Sequence, residues 1–114
     1  MKLEITVREV GEDSAVITLS GEMDIHSSPR LLEEISTLVG GGRHFIVLDL
    51  SALIYLDSTG LGALSAGLKR AGEAGGFIRL VSPRPAVTKV LRLSELDRVF
   101  QAFESIEDAL AVRT

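Results

Sequence analysis

The stretch FIVLDLSALIYLDSTGLGALSAGLKRAGEAGGFIRLV, residues 45–81, decides the fold. It opens on a short apolar run, Phe45 to Leu50, the pattern of a strand covered on both faces. After a short connection come Asp57-Ser58-Thr59-Gly60-Leu61-Gly62. Leu61, Leu64, Leu68 and Ala71 then recur at helical spacing up to about Ala74. Gly75-Gly76 stops that helix, and Phe77 to Val81 (FIRLV) reads as another strand. Strand, helix, strand in this order calls for a parallel pair joined by a crossover helix.

The flanks extend the pattern. Leu3, Ile5 and Val7 alternate with Lys2, Glu4, Thr6 and Arg8, which predicts a half-buried strand. Gly11-Glu12-Asp13-Ser14 is turn chemistry, and Ala15 to Ser20 is a second β-rich run, so the two form a hairpin that Gly21 ends. Ser27-Ser28-Pro29 opens a helix, with a serine at the cap and a proline in the first turn, where it lacks only an N–H that would be orphaned anyway. Leu31, Leu32, Ile35, Leu38 and Val39 share one face of it, and Gly40-Gly41-Gly42 ends it. Beyond residue 81, Pro83 and Pro85 introduce a helix carrying Val87, Val90 and Leu91. Val99 to Phe103 reads as a last short strand. Ser105, with Asp108 three residues on, resembles a capping box for a final helix, Ile106 to Val112. The expectation is a single α/β domain over residues 1–114, with a mixed sheet of four or five strands and about four helices.

Composition narrows the function. The chain has 114 residues, the size of one domain. It has no cysteine, which excludes disulfides, thiol chemistry, iron–sulfur clusters and Cys-type zinc sites. Aromatic residues make up 4%, too few for a base-stacking platform. A net charge of −4 argues against nucleic acid as a direct partner. No segment reaches the roughly 20 apolar residues of a membrane span. Met1 to Val10 alternates, unlike the apolar run of a signal peptide. The expectation is a soluble, cytoplasmic protein with no membrane partner and no cofactor.

Charge is unevenly spread. Residues 1–68 carry 4 basic and 10 acidic side chains, whereas residues 69–98 carry 7 basic against 3 acidic. The basic members are Lys69, Arg70, Arg79, Arg84, Lys89, Arg92 and Arg98. They read as solvated helix surface before they read as a docking face for an acidic partner.

Most catalytic signatures are missing. Gly60-Leu61-Gly62 would need glycine at position 65 to match a dinucleotide fingerprint, and Ser65 stands there. The glycines read as close packing between strand and helix. Ser58, flanked by Asp57 and Thr59, lacks the glycine two residues before it that the nucleophile elbow of a hydrolase needs. His26 and His44, at no metal-ligand spacing, read as ordinary surface or loop histidines. Asp24 and Asp57 would share one sheet edge, but an N-cap at Asp57 and a loop aspartate at Asp24 explain them better than acid/base work. Asp57-Ser58-Thr59-Gly60 puts two hydroxyls at a helix start, where free N–H groups and the helix dipole suit a phosphoryl group. On chemistry alone, capping and a phosphosite both stand, with capping the simpler.

The ordered set of these pieces resembles the STAS domain family, specifically its single-domain anti-sigma factor antagonists of the SpoIIAA and RsbV type. The resemblance rests on Leu19-Ser20-Gly21-Glu22-Met23-Asp24, Ser28-Pro29, Leu48-Asp49-Leu50, Tyr55-Leu56-Asp57-Ser58-Thr59-Gly60-Leu61-Gly62, Gly75-Gly76 and Ser82-Pro83, and covers nearly the whole chain. It implies a STAS fold. It implies Ser58 as the residue phosphorylated by a serine kinase that is itself the anti-sigma factor, and a PP2C-type phosphatase that resets it. It implies a partner-binding face of Asp24, Asp57, Ser58, Thr59 and Gly60. The unphosphorylated protein would bind the kinase and free the sigma factor, acting as substrate and ligand rather than as an enzyme. A STAS subunit of a lipid-transport or stress-signalling assembly would carry the same motif.

Overall fold

Every step across the sheet advances in the same direction. The computed structural model describes residues 2–111. Its strands are β1 (Leu3–Val10), β2 (Ser14–Met23), β3 (Phe45–Leu56), β4 (Phe77–Val81) and β5 (Ala102–Phe103), in the spatial order β1-β2-β3-β4-β5. β1 pairs antiparallel with β2, and every later pairing is parallel. The crossovers are α1 (Ser28–Gly40), α2 (Ser58–Glu73) and α3 (Pro85–Leu93), the last followed by a 3-10 turn, Leu96–Arg98. Crossovers share one hand, so a sheet that always grows the same way collects all its crossover helices on one face.

The core bears this out. Ile17, Leu19, Leu48, Leu50, Ile78 and Leu80 on that face pack with Leu31 and Ile35 of α1, Leu64 of α2, and Val87 and Leu91 of α3. The opposite face is covered over one part only, by α4 (Ile106–Ala111), where Val16, Val47 and Val81 meet Ala109, Ile106 and Leu110. Ser105 accepts from the Asp108 N–H at 3.1 Å, as the capping box predicts. The predicted end of this helix at Val112 lies outside the described residues.

Four expectations need correction. Gly21 does not end β2 but lies within it, paired with Leu3 and Leu53, and Glu22 and Met23 continue the strand. Its φ of +107° and the Lys2 carbonyl, 2.1 Å from where a Cβ would stand, both demand glycine. Ser51 to Leu56 is not a connection but the second half of β3. The terminal strand shrinks to Ala102–Phe103. Arg79 is not solvated helix surface: it is buried on β4, stacked 3.7 Å over the Phe77 ring and donating to the Ala109 carbonyl at 2.8 Å. A buried guanidinium needs such partners, because an unpaired buried charge is very costly.

Candidate functional site

The site arises where two parallel strands stop together. Met23 of β2 is in register with Leu56 of β3. The residues that follow, Asp24 and Asp57, therefore emerge side by side, and the Asp57 N–H still donates to the Met23 carbonyl at 3.3 Å. The carboxyl ends of parallel strands are where α/β sheets place their functional loops. β3 reaches this edge through two register shifts against β2, between Thr18 and Ser20 and between Gly21 and Glu22. Each shift inserts one extra β3 residue and turns the strand.

At the β3–α2 junction, Asp57 is the N-cap of α2. Its carboxylate accepts from the Thr59 N–H at 3.0 Å, the Gly60 N–H at 3.1 Å and the Thr59 hydroxyl at 2.5 Å. These donors, the Thr59 hydroxyl first, hold the Asp57 carboxyl below its ordinary value against desolvation and the like charge of nearby Asp24. Ser58 follows as the first helical residue, exposed, and among the described residues its hydroxyl has no hydrogen-bond partner. Thr59 is also exposed, but its hydroxyl is committed to Asp57 and lies 3.4 Å from that of Ser28. Gly60 is buried under this turn, where a Cβ would stand 2.3 Å from Leu56 Cδ1 and 3.3 Å from Met23. It presents no surface; it lets α2 sit down on the strand ends. Gly62, read from sequence as a second close-packing glycine, has nothing within 4 Å of its would-be Cβ.

The β2–α1 junction is a loop, Asp24 to Ser27. The Asp24 carboxylate accepts from the His26 N–H at 2.9 Å and the Ser27 N–H at 3.1 Å, and its carbonyl accepts from the Ser28 N–H at 2.9 Å and hydroxyl at 2.5 Å. Ser27 stands at the cap position and its carbonyl accepts from the Arg30 N–H at 3.0 Å, but its hydroxyl accepts from no helix N–H and takes the Asp24 N–H instead. Asp24 thus organises this helix start, a correction to the expected serine cap. The two loop amides, that of His26 first, lower the Asp24 carboxyl from its ordinary value. Both aspartates are therefore ionised, the wrong state for a general acid.

Asp24, Asp57, Ser58 and Thr59 thus lie on one continuous surface. Between the first turns of α1 and α2 this surface holds a shallow, mostly apolar hollow of about 330 Å³, lined by Ile25, Pro29, Leu32, Thr59 and Gly62 among others. Ile25 is 63% exposed there. Sequence reading missed Ile25 and the buried Ser28, although Ser28 stands beside the proline that starts the helix. Of the histidines, His26 is exposed in the loop. His44 lies in the loop before β3, the second of its two readings, half-buried against Phe45, and among the described residues its enclosed Nδ1 has no hydrogen-bond partner. It precedes β3, so the length of that strand, roughly 35 Å, separates it from Ser58. Among the described residues, no three of His, Asp and Glu gather as metal ligands, and no helix is long and apolar enough to cross a membrane.

Comparison with known proteins places this geometry. A family model described as STAS domain matches residues 4–109. The anti-sigma-F factor antagonist RsfB of Mycobacterium tuberculosis is 32% identical over 96 residues, covering 84% of this chain and 78% of RsfB. The crystal structure of an anti-sigma factor antagonist from Mycobacterium paratuberculosis superposes with a TM-score of 0.85 at 32% identity, covering 99% and 96% of the two chains. The anti-sigma factor antagonist SpoIIAA superposes in its unphosphorylated form with a TM-score of 0.82 at 27% identity, covering 93% and 92%. The phosphorylated form of the Bacillus protein gives 0.74 at 26% identity, covering 93% and 96%. With the match running over almost its whole length, the chain belongs to the STAS domain family.

Proposed function

We propose that the protein is an anti-sigma factor antagonist switched by phosphorylation of Ser58. Unphosphorylated, it binds an anti-sigma factor that is also its serine kinase, and the sigma factor is released. Phosphorylated, it lets go, and a PP2C-type phosphatase restores it. The observation that carries this reading is the contrast between neighbouring hydroxyls: that of Ser58 is exposed and uncommitted, while that of Thr59 is held by Asp57. A kinase needs the first kind.

The electrostatics give the switch its sign. A phosphoryl group adds roughly −1.5 to −2 charges. The Asp57 carboxylate already occupies the Thr59 and Gly60 N–H groups. These amides, the free donors anticipated from sequence, are therefore taken. A phosphate at Ser58 adds its charge beside Asp57 and Asp24. At a docked interface that repulsion and desolvation cost a few kcal/mol, and each ~1.4 kcal/mol is tenfold in affinity. No rearrangement of the fold is needed. The protein is ligand and substrate, with no turnover of its own.

Incubation with the partner kinase and ATP is expected to add one phosphate, mapped to Ser58 by mass spectrometry and abolished in Ser58→Ala. Phosphate on Thr59 alone, or full phosphorylation of the alanine variant, overturns the assignment.

A further inference from the structure

The Asp24 loop has a second side. There a cavity of about 400 Å³ opens between the loop, the start of β1 and the first turn of α1, lined by Lys2, Leu3, Asp24, His26, Ser27 and Arg30. Residues 1–68 hold only 4 Lys and Arg against 10 acidic side chains, and two of those cations line this one cavity. Among the described residues neither Lys2 nor Arg30 forms an ion pair. Arg30 is anchored by one N–H, which donates to the Leu3 carbonyl at 2.9 Å. The single carboxylate of the cavity, Asp24, is held by the amides of its own loop.

We propose that this cavity receives an acidic side chain of the protein that docks on the Ser58 face; the inference rests on the docking reading above. Asp24 and Asp57 call for basic groups on that partner. A face of one sign accepts a basic surface in several registers. A cationic pocket on the far side of Asp24 adds the opposite sign and leaves one register that satisfies both, while a wholly basic partner surface is repelled. In the free protein these exposed cations contribute little, because water screens them. Once a docked partner excludes that water, the same charges interact more strongly. The pocket therefore acts on recognition and not on folding.

The test is calorimetry of the purified kinase that phosphorylates Ser58 against unphosphorylated wild type, Lys2→Glu, Arg30→Glu and Ser58→Asp, at low and high salt. Each charge reversal is expected to weaken binding about tenfold at low salt, with a smaller loss at high salt. Arg30→Glu also removes the bond to Leu3, so Lys2→Glu, which breaks no hydrogen bond or ion pair, is the deciding variant. A kinase that responds to Ser58→Asp but binds folded Lys2→Glu like wild type overturns the pocket alone. A kinase indifferent to Ser58→Asp that still loses affinity for Lys2→Glu overturns the switch and keeps the pocket.

Discussion

Two strand-to-helix junctions lie side by side at one sheet edge and are built on opposite plans. From β3 to α2 the chain turns on one residue, Asp57, whereas from β2 to α1 it takes four, Asp24 to Ser27. Both junctions are held by an aspartate. Asp57 spends its carboxylate on N–H groups of the helix itself, and Asp24 spends its own on the loop. The tight junction fixes one hydroxyl, Ser58, on a helix start that packing defines. The open junction puts Ile25 and His26 into solvent, where they can meet different partners without disturbing the core. In the proposed switch the first is the modification point and the second the recognition surface, in keeping with loops carrying specificity on a rigid scaffold.

The largest test of the contrast is steric. The tight junction depends on Gly60, under which Leu56 and Met23 leave no room for a side chain. Gly60→Val is expected to destabilise the protein by about 2–3 kcal/mol, the upper range for overpacking a core, read as a lower urea midpoint. Gly62, two residues on, faces open space. Gly62→Ala is expected to stabilise by about 0.5–1 kcal/mol through helix propensity. Equal effects at the two positions would mean that α2 does not seat on the strand ends as described.

Next in size is the cap. Asp57→Ala leaves the Thr59 and Gly60 N–H groups without their partner, which costs about 1 kcal/mol. It also frees the Thr59 hydroxyl. The expected outcome in a kinase assay is phosphate appearing on Thr59 as well as Ser58, because the contrast between the two hydroxyls is then gone. Strict retention of Ser58 as the single acceptor would show that the kinase, not the cap, makes the choice.

Legibility in the sequence followed regularity of pattern. The strands with short, mostly apolar runs, Phe77–Val81 and the first half of β3, were readable, as were the helices with an apolar stripe and a glycine stop. The second half of β3 was not. Its buried residues, Leu53 and Leu56, are three apart, and Ile54 and Tyr55 between them are exposed. A period of two cannot register that spacing, because the register shifts insert residues β2 does not match. Gly21 misled for a related reason: glycine inside a strand reads as an end, and only the approach of Lys2 shows why it is there. At the site, the motif order located Asp24 and Asp57 on one edge. The adjacency of Asp24, Ser28 and Thr59, and the gathering of Lys2 with Arg30, come from the crossing of β1, α1 and α2, which no local pattern encodes.

The smallest expected effect separates the two aspartates by pH. Both carboxyls are held below their ordinary value. A carboxylate so lowered stabilises the fold at pH above its unfolded value, near 4, and that contribution is lost as pH falls through the lowered folded value. The window therefore lies below about pH 4, far from neutrality. Asp24→Asn keeps a side-chain oxygen able to accept from the His26 and Ser27 amides and removes only the charge. At pH 7 its thermal midpoint is expected to stay within a degree or two of wild type, about the precision at which surface substitutions are felt. Below pH 4 its midpoint is expected to fall less steeply than wild type. Its phosphorylation rate at pH 7 is nevertheless expected to drop, because the partner's basic groups lose one of the two charges they face. A variant that melts like wild type and is phosphorylated like wild type would move recognition away from the open junction and onto the tight one. A variant that is markedly less stable at pH 7 would show that Asp24 holds the scaffold through its charge, and the division of labour between the two junctions would fail.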